Sequence, residues 1–199
     1  MSGRLLILAS GSAARRQMLS NAGLVFNVVP ADIDEDGVRD VMMAVAPHPQ
    51  IAVVLSETKA LSVAAAHPGA IVIGSDQILS TGDQILSKPG SREGARETLR
   101  RLSGRTHWLH SAVAIAVGDD LRWRTVESAA LTMRDLSDAD IERYLDVAGP
   151  GIFGCVGAYQ IEGAGVQLFE RVAGDHFTIM GMPLLPLLGQ LRRMDEVAA

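Results

Sequence analysis

The stretch Leu5-Leu6-Ile7-Leu8-Ala9-Ser10-Gly11-Ser12-Ala13-Ala14-Arg15-Arg16 decides how the rest of the chain is read. An apolar run stops at small hydroxyl residues and a glycine, and a helical pattern then opens with two arginines. Arg4 to Ala9 is predicted as a buried strand and Ser12 to Ala22 as a helix, with Met18, Leu19 and Ala22 on one face and Gly23 at its C-terminal cap. A strand that turns through Ser and Gly into a helix offers free backbone N–H groups to an anion. A guanidinium beside that turn adds charge and a fork of donors suited to phosphate. The same residues also fit an ordinary serine N-cap on a solvated helix. The turn is neither a P-loop nor a dinucleotide-binding fingerprint.

Further along, two kinds of unit alternate. Val25 to Val29 is expected as a strand. The acidic stretch 31–49 is expected as a loop, with a short helix near Val38 to Ala46. Pro49 suits the first turn of a long helix over Ile51 to Ala66. Ala70 to Gly74 is a continuous apolar strand, after which Ser75, Asp76 and Gln77 fall at its end. Ile78 to Ser80 pairs with Gln84 to Ser87 across a turn. Ser91 caps a helix running to Leu102. Thr106 to Val117 and Arg122 to Met133 form a hairpin. Ser137 and Asp140 make a capping box for a helix ending at Val147. The glycine-rich stretch 152–165 has no clear assignment. A strand over Val166 to Val172 and a helix over Leu184 to Met194 close the chain. Interleaved βαβ units and a long hairpin predict an α/β fold with a mixed sheet. No linker is evident, and 199 residues fit one domain with a real core.

Bulk properties exclude several functions. A formal net charge of -5 argues against a general nucleic-acid binder. Cys155 is the only cysteine, which excludes an intrachain disulfide framework or a cysteine zinc cluster and suits a reducing cytosol. It is expected to be a small apolar filler. The N-terminus lacks the marks of a signal peptide, and its apolar run is too short to span a membrane. The expected setting is therefore cytoplasmic, with no membrane and no nucleic-acid partner. The five histidines show no metal-binding spacing.

Asp76 stands at a strand end, where ligands of α/β folds collect. A carboxylate there is suited to holding Mg²⁺ or to taking a proton from water; it is equally at home in a simple turn. Lys59 is the one lysine in a long apolar helix, where it either snorkels or meets an anion. Lys88 follows another strand end. These are the only two lysines, beside sixteen arginines. Asp34 and Glu35 fit a solvated loop or a metal ligand.

Together these residues resemble the Maf-like nucleoside triphosphate pyrophosphatases. The markers are Leu8-Ala9-Ser10-x-Ser12 with Arg15, Asp34-Glu35, Glu57-x-Lys59-Ala60, Gly74-Ser75-Asp76 and Lys88-Pro89. Further on come Leu102-Ser103-Gly104-x-Thr106-His107, Gly157-Ala158-Tyr159-x-Ile161-Glu162-Gly163 and Gly181-x-Pro183-Leu184. The resemblance runs from Leu8 to about Leu191 and implies a single Maf-like domain over residues 1–199. It implies a mixed twisted sheet flanked by helices in an elongated, two-lobed fold similar to the inosine triphosphate pyrophosphatases. It also implies hydrolysis of a nucleoside triphosphate to the monophosphate and pyrophosphate, with Mg²⁺ or Mn²⁺.

By that resemblance Asp76 is the proton acceptor, and Ser12, Arg15, Lys59 and Lys88 handle phosphate. Glu35 joins Asp76 in holding metal. Three positions bear on the base. Ala14 stands where the family often has arginine, Gln77 where one subgroup has threonine, and Glu162 where glutamine is common. Gln77 and Glu162 side with the 7-methyl-GTP pyrophosphatase subgroup rather than with the dTTP/UTP subgroup, and Ala14 matches neither pattern. Glu162 is suited to accepting hydrogen bonds from a guanine edge. The implied role is nucleotide housekeeping. A phosphatase or nucleotidyltransferase could use the same cradle, and a nucleotide-binding regulator of cell division without turnover is the contrasting reading. A homodimer is expected on base rates alone.

Overall fold

A computed structural model describes residues 4–194. The chain begins with β1 (Leu6–Leu8), α1 (Ala13–Asn21), β2 (Asn27–Val28), α2 (Glu35–Met43) and α3 (His48–Ala65). Then come β3 (Ile71–Thr81), β4 (Gln84–Leu86), α4 (Arg92–Leu102), β5 (Thr106–Val117) and β6 (Asp120–Met133). After α5 (Asp138–Ala148), two 3-10 turns (Pro150–Gly154 and Ala164–Leu168) lead to β7 (Phe169–Ala173), α6 (His176–Ile179) and α7 (Leu184–Arg193). The strands form a seven-stranded sheet in the order β2-β1-β3-β5-β6-β7, with β4 paired to β3. β1 runs parallel to both β2 and β3, while β4 and β7 are antiparallel to their neighbours. The sheet is therefore mixed, as the interleaved pattern predicts.

The described residues fall into two compact units. One comprises the chain up to Gln77, His110–Glu127 and the segment from His176 on; the other comprises Ile78–Leu109 and Ser128–Asp175. In the first unit, side-chain alternation along the strands builds two cores. Leu6, Leu8, Ile71, Ile73, Val113 and Ile115 pack with Met18 and Leu19 of α1 and with Leu184, Leu187 and Leu191 of α7. Ile7, Ala9, Ala70, Val72, Ala114 and Ala116 pack with Ala60, Val63 and Ala64 of α3. Residues of β3 with even numbers thus face α3, and those with odd numbers face α1 and α7.

Two expectations change here. The segment around Asp76 is not a strand end. β3 continues without a break from Ile71 to Thr81, and Asp76 lies in its middle. The parallel partner does end there: β1 pairs only as far as Leu8 opposite Ile73, so Asp76 lies beyond the parallel ladder. Ser-Asp-Gln reads as a turn locally, but pairing on both sides of it holds the backbone extended. The acidic stretch also folds earlier than expected. Asp34 Oδ1 accepts from the Gly37 N–H at 3.0 Å and caps α2, whose first residue is Glu35. An N-cap with acids in the first turn suits the helix dipole.

Gly74 is required by a close approach. A Cβ there would lie 2.1 Å from the Ser56 carbonyl oxygen and 2.6 Å from the Ala60 nitrogen. The backbone of α3 therefore sits directly on β3.

In the second unit, α4 and α5 begin with serine caps at Ser91 and Ser137, the latter a full capping box with Asp140. Ion pairs link the two helices: Arg92 with Glu142 and Asp146, Arg96 with Glu142, and Arg100 with Asp138. Exposed pairs of this kind add little each. The stretch without a sequence assignment is held from inside. Ala158 takes a positive φ of 58°, and Tyr159 turns inward so that its hydroxyl meets His107 Nε2 at 2.7 Å. The Tyr159 ring stands edge-on to Phe169 at 4.8 Å. His107 is fully buried, and its Nδ1 has no hydrogen-bond partner among the described residues. Burial lowers its pKa to about 4.

Two stability predictions follow from this packing. Gly74→Ala should cost at least about 1–3 kcal/mol through overpacking against backbone, read as a drop of several degrees in the thermal midpoint. The depressed His107 pKa means that the unfolded chain binds more protons than the folded one between pH 6.5 and 4. Its contribution is complete above the unfolded pKa and is lost as pH falls. Urea titrations should show a stability lower by about 2 kcal/mol at pH 5 than at pH 7.5 from this residue. His107→Gln should flatten that slope without abolishing it. The pKa of His110 is also lowered to about 4, by burial first and then by His48, and that group remains.

Candidate functional site

Lys59 enters the site from the buried face of α3. Its Nζ lies 2.6 Å from Asp76 Oδ1 and 2.9 Å from Glu35 Oε1. The lysine and Asp76 side chains are only 7% and 9% exposed, whereas Glu35 is 37% exposed. A buried ammonium needs a partner, and two carboxylates supply one. The apolar helix that made Lys59 conspicuous in the sequence thus delivers it to an anion rather than to solvent.

In this structure the two carboxylates of the trio are paired with the Lys59 ammonium. Two carboxylates that converge on one positive centre present hard oxygen donors, which suit Mg²⁺ or Mn²⁺. Among the described residues, no group of three or more His, Cys, Asp or Glu side chains is arranged to hold a metal. Asp76 and Glu35 would therefore need oxygens from substrate or water to complete a coordination shell.

On the opposite side of β3, Arg15 projects from the first turns of α1. Its Nε donates to the Gly181 carbonyl at 2.8 Å, and its Nη1 donates to the Ser75 carbonyl at 2.9 Å and to Ser10 Oγ at 3.2 Å. All three acceptors are neutral. The guanidinium is 8% exposed, and burial pulls its pKa below the ordinary value while the charges of Asp76 and Glu35 push it back up. An arginine remains charged under those conditions. Arg15 is thus a buried cation near the start of a helix, bonded to neutral oxygens alone, with a guanidinium fork whose geometry suits an anion. Ser12 caps that helix, its Oγ accepting from the Arg15 N–H at 3.4 Å. Ala14 follows two residues later and is half-buried.

Gln77 lies on the same side of β3 as Ser75. Its Nε2 faces Ser111 Oγ at 2.9 Å and the carbonyls of Ile179 at 3.0 Å and Thr178 at 3.1 Å. Its amide group is thus turned toward the α6 turn of the protein itself.

Lys88 and Glu162 belong to the second unit, and both are exposed. Lys88 lies in the loop after β4, which the Gly90 N–H anchors to the Phe153 carbonyl at 3.0 Å. Cys155 senses both charges. Burial raises its thiol pKa and Glu162 raises it further, while a hydrogen bond with Gln160 and then the charge of Lys88 oppose them. A raised thiol pKa fits the expectation of an inert filler. Asp34 serves as the α2 cap rather than as a member of the trio. Glu57, part of the same motif as Lys59, pairs with Arg124 at 2.5 Å.

Sequence reasoning missed α6 and the Gly181 carbonyl. A four-residue helix leaves almost no periodic signal. Glycines at 174 and 181, with φ of 139° and 113°, bracket it and mark a special backbone.

No helix among the described residues is long and apolar enough to cross a membrane. The family profile described as Maf-like protein matches residues 5–194, a span that includes both units. A nucleoside triphosphate pyrophosphatase of Rhodopseudomonas palustris is 49% identical over 193 residues, covering 97% of this chain and 95% of that protein. A 7-methyl-GTP pyrophosphatase of Mesorhizobium japonicum is 48% identical, covering 96% and 97%. Another 7-methyl-GTP pyrophosphatase, from Brucella abortus, is 49% identical, covering 94% and 95%. A solved nucleoside-triphosphatase / dITP/XTP pyrophosphatase of Mycobacterium abscessus reaches a TM-score of 0.42 at 14% identity, covering 94% of this chain and 93% of that one, a likeness too slight to bear on the fold. With the profile spanning nearly its whole length and relatives near half identity, the chain belongs to the Maf-like protein family.

Proposed function

We propose that this protein hydrolyses a nucleoside triphosphate to the nucleoside monophosphate and pyrophosphate, and that a guanine nucleotide such as 7-methyl-GTP is its substrate. The observation that carries this reading is the pairing of a buried carboxylate, Asp76, held by Lys59, with a buried guanidinium, Arg15, whose partners are all neutral. One group is suited to taking a proton and the other to taking a polyanion. The names of the relatives at 48–49% identity support the same reaction.

A triphosphate is hydrolysed when its charge is neutralised and a water is aligned with the phosphorus. In this reading water attacks the α-phosphorus and passes its proton to Asp76. The bond from the α-phosphorus to the bridging oxygen breaks, and pyrophosphate leaves with that oxygen. Arg15 and the N–H groups that follow Ser12 hold the departing phosphates. Lys59 exchanges its contact with Asp76 for one with a phosphate oxygen as substrate arrives. Asp76 and Glu35 would hold a divalent cation. Such a cation, Mg²⁺ or Mn²⁺, supplies charge neutralisation at the phosphoryl oxygens.

Lys88 and Glu162 enter by the resemblance of their motifs. Lys88 is assigned to phosphate, and Glu162 to the guanine N1–H and amino group, which a pyrimidine lacks in that arrangement. The small Ala14 removes a cation that family members often carry, so Arg15 bears more of the phosphate charge.

The test is a pyrophosphate-release screen across canonical and methylated nucleoside triphosphates. Asp76→Asn should lower turnover at least about a hundredfold. Near-normal turnover in that variant would remove Asp76 from the role, and orthophosphate as the product would replace the reaction with a phosphatase. Stripping divalent ions with EDTA should abolish release, and Mg²⁺ or Mn²⁺ should restore it. Full activity in EDTA would exclude the metal.

A further inference from the structure

The odd-numbered side of β3 carries a second piece of machinery. Gln77 Nε2 has two hydrogens and three oxygen acceptors within 3.1 Å: Ser111 Oγ and the carbonyls of Thr178 and Ile179. Two of these are carbonyl oxygens, which accept only, so the amide nitrogen must face them and both its hydrogens are spent inside the protein. Ser111 Oγ itself donates to the Thr178 carbonyl at 2.7 Å, which leaves its lone pairs to Gln77. The Thr178 hydroxyl in turn donates to Glu127 at 2.9 Å. The whole of α6 is therefore tied at its C-terminal end to β3 and β5.

The chain leaves α6 through Gly181, whose φ of 113° few other residues adopt. The Gly181 carbonyl then accepts from Arg15 Nε at 2.8 Å and from Ser75 Oγ at 3.2 Å. A Cβ at Gly181 would sit 3.5 Å from Arg15 Nε and 3.8 Å from Gln77 Oε1, which shows how closely these three residues gather. The order of connection is Gln77 to the carbonyls of residues 178 and 179, then the turn to Gly181, then its carbonyl to Arg15.

We propose that Gln77 is a positioning residue for Arg15 rather than a reader of the base. It pins the end of α6 and thereby aims the Gly181 carbonyl that orients the guanidinium. The resemblance sets Gln77 with Ala14 and Glu162 among the positions that bear on the base, and its bonding here gives it a different task. That task rests on the reading of Arg15 as a triphosphate holder.

The two roles predict different data. A base reader, when replaced, changes the ratio of kcat/KM between nucleotides. A residue that aims Arg15 weakens every triphosphate alike, including inorganic tripolyphosphate, which has no base. Gln77→Met keeps the length of the side chain and removes the donors. We expect kcat/KM for GTP, 7-methyl-GTP and UTP to fall together by about tenfold, the effect of one misdirected charged hydrogen bond. The dissociation constant of tripolyphosphate, measured by calorimetry, should rise by the same factor. Ser111→Ala, which removes one anchor of the amide, should show the same pattern more weakly and guards against misfolding of the first variant. In an Arg15→Ala background, Gln77→Met should add nothing, because its effect passes through Arg15.

A change in selectivity between bases would overturn the proposal. So would unchanged tripolyphosphate affinity in the variants, or a full additive loss in the Arg15→Ala background. The calorimetric arm needs no turnover. If the wild-type protein releases no pyrophosphate from any nucleotide, the proposed reaction fails while the Gln77–Arg15 coupling is still decided.

Discussion

The contact between α3 and β3 is arranged around one buried ammonium, that of Lys59. Lys59 can lie inside a largely apolar helix only because Asp76 and Glu35 meet it at 2.6 and 2.9 Å. Removing a charge from water costs several kcal/mol unless it is paired with good geometry. That pairing demands that α3 lie against β3, and Gly74 is what allows it, since a side chain there would collide with the helix backbone. A glycine two residues before the carboxylate and a lysine one residue before Ala60 are thus parts of one device. The glycine sets the distance and the lysine uses it.

Strand geometry then sorts the chemistry. Successive side chains of β3 point to opposite sides, so Asp76 faces Lys59 while Ser75 and Gln77 face α1 and the α6 turn. The carboxylates and the arginine act on one another electrostatically across the strand without forming an ion pair that would consume them. Arg15 is instead held by carbonyl and hydroxyl oxygens that fix its direction without pairing it directly to a carboxylate. In the reaction proposed above, that guanidinium would meet the triphosphate, in a chain whose net charge is -5.

Much of this was legible in advance. The serine caps at positions 12, 91 and 137 stand where the pattern put them, because a cap is a local contact between a side chain and its own helix. The continuous apolar runs in 6–9 and 70–73 marked buried strands. The strangeness of Lys59 was legible too, since composition alone shows a lone cation on an apolar helix. Other features were not. Ser75-Asp76-Gln77 has the local preferences of a turn, and β3 nevertheless runs straight through it, because β4 and the neighbouring strands pair with the backbone beyond. The region 152–165 is built from 3-10 turns and an inward-facing tyrosine, whose anchor, His107, lies far away in sequence.

The sequence by itself determined the mixed α/β plan, the helix starts capped at Ser12, Ser91 and Ser137, and the identity of the unusual charges, since these depend on neighbours within a few residues. Only the tertiary structure decided which charges meet. That Lys59 closes on Asp76, and that the Gln77 amide is spent on the Thr178 and Ile179 carbonyls, depends on contacts between residues 17 and about a hundred positions apart. Such contacts are set by the packing of elements rather than by local preference, so no local pattern encodes them.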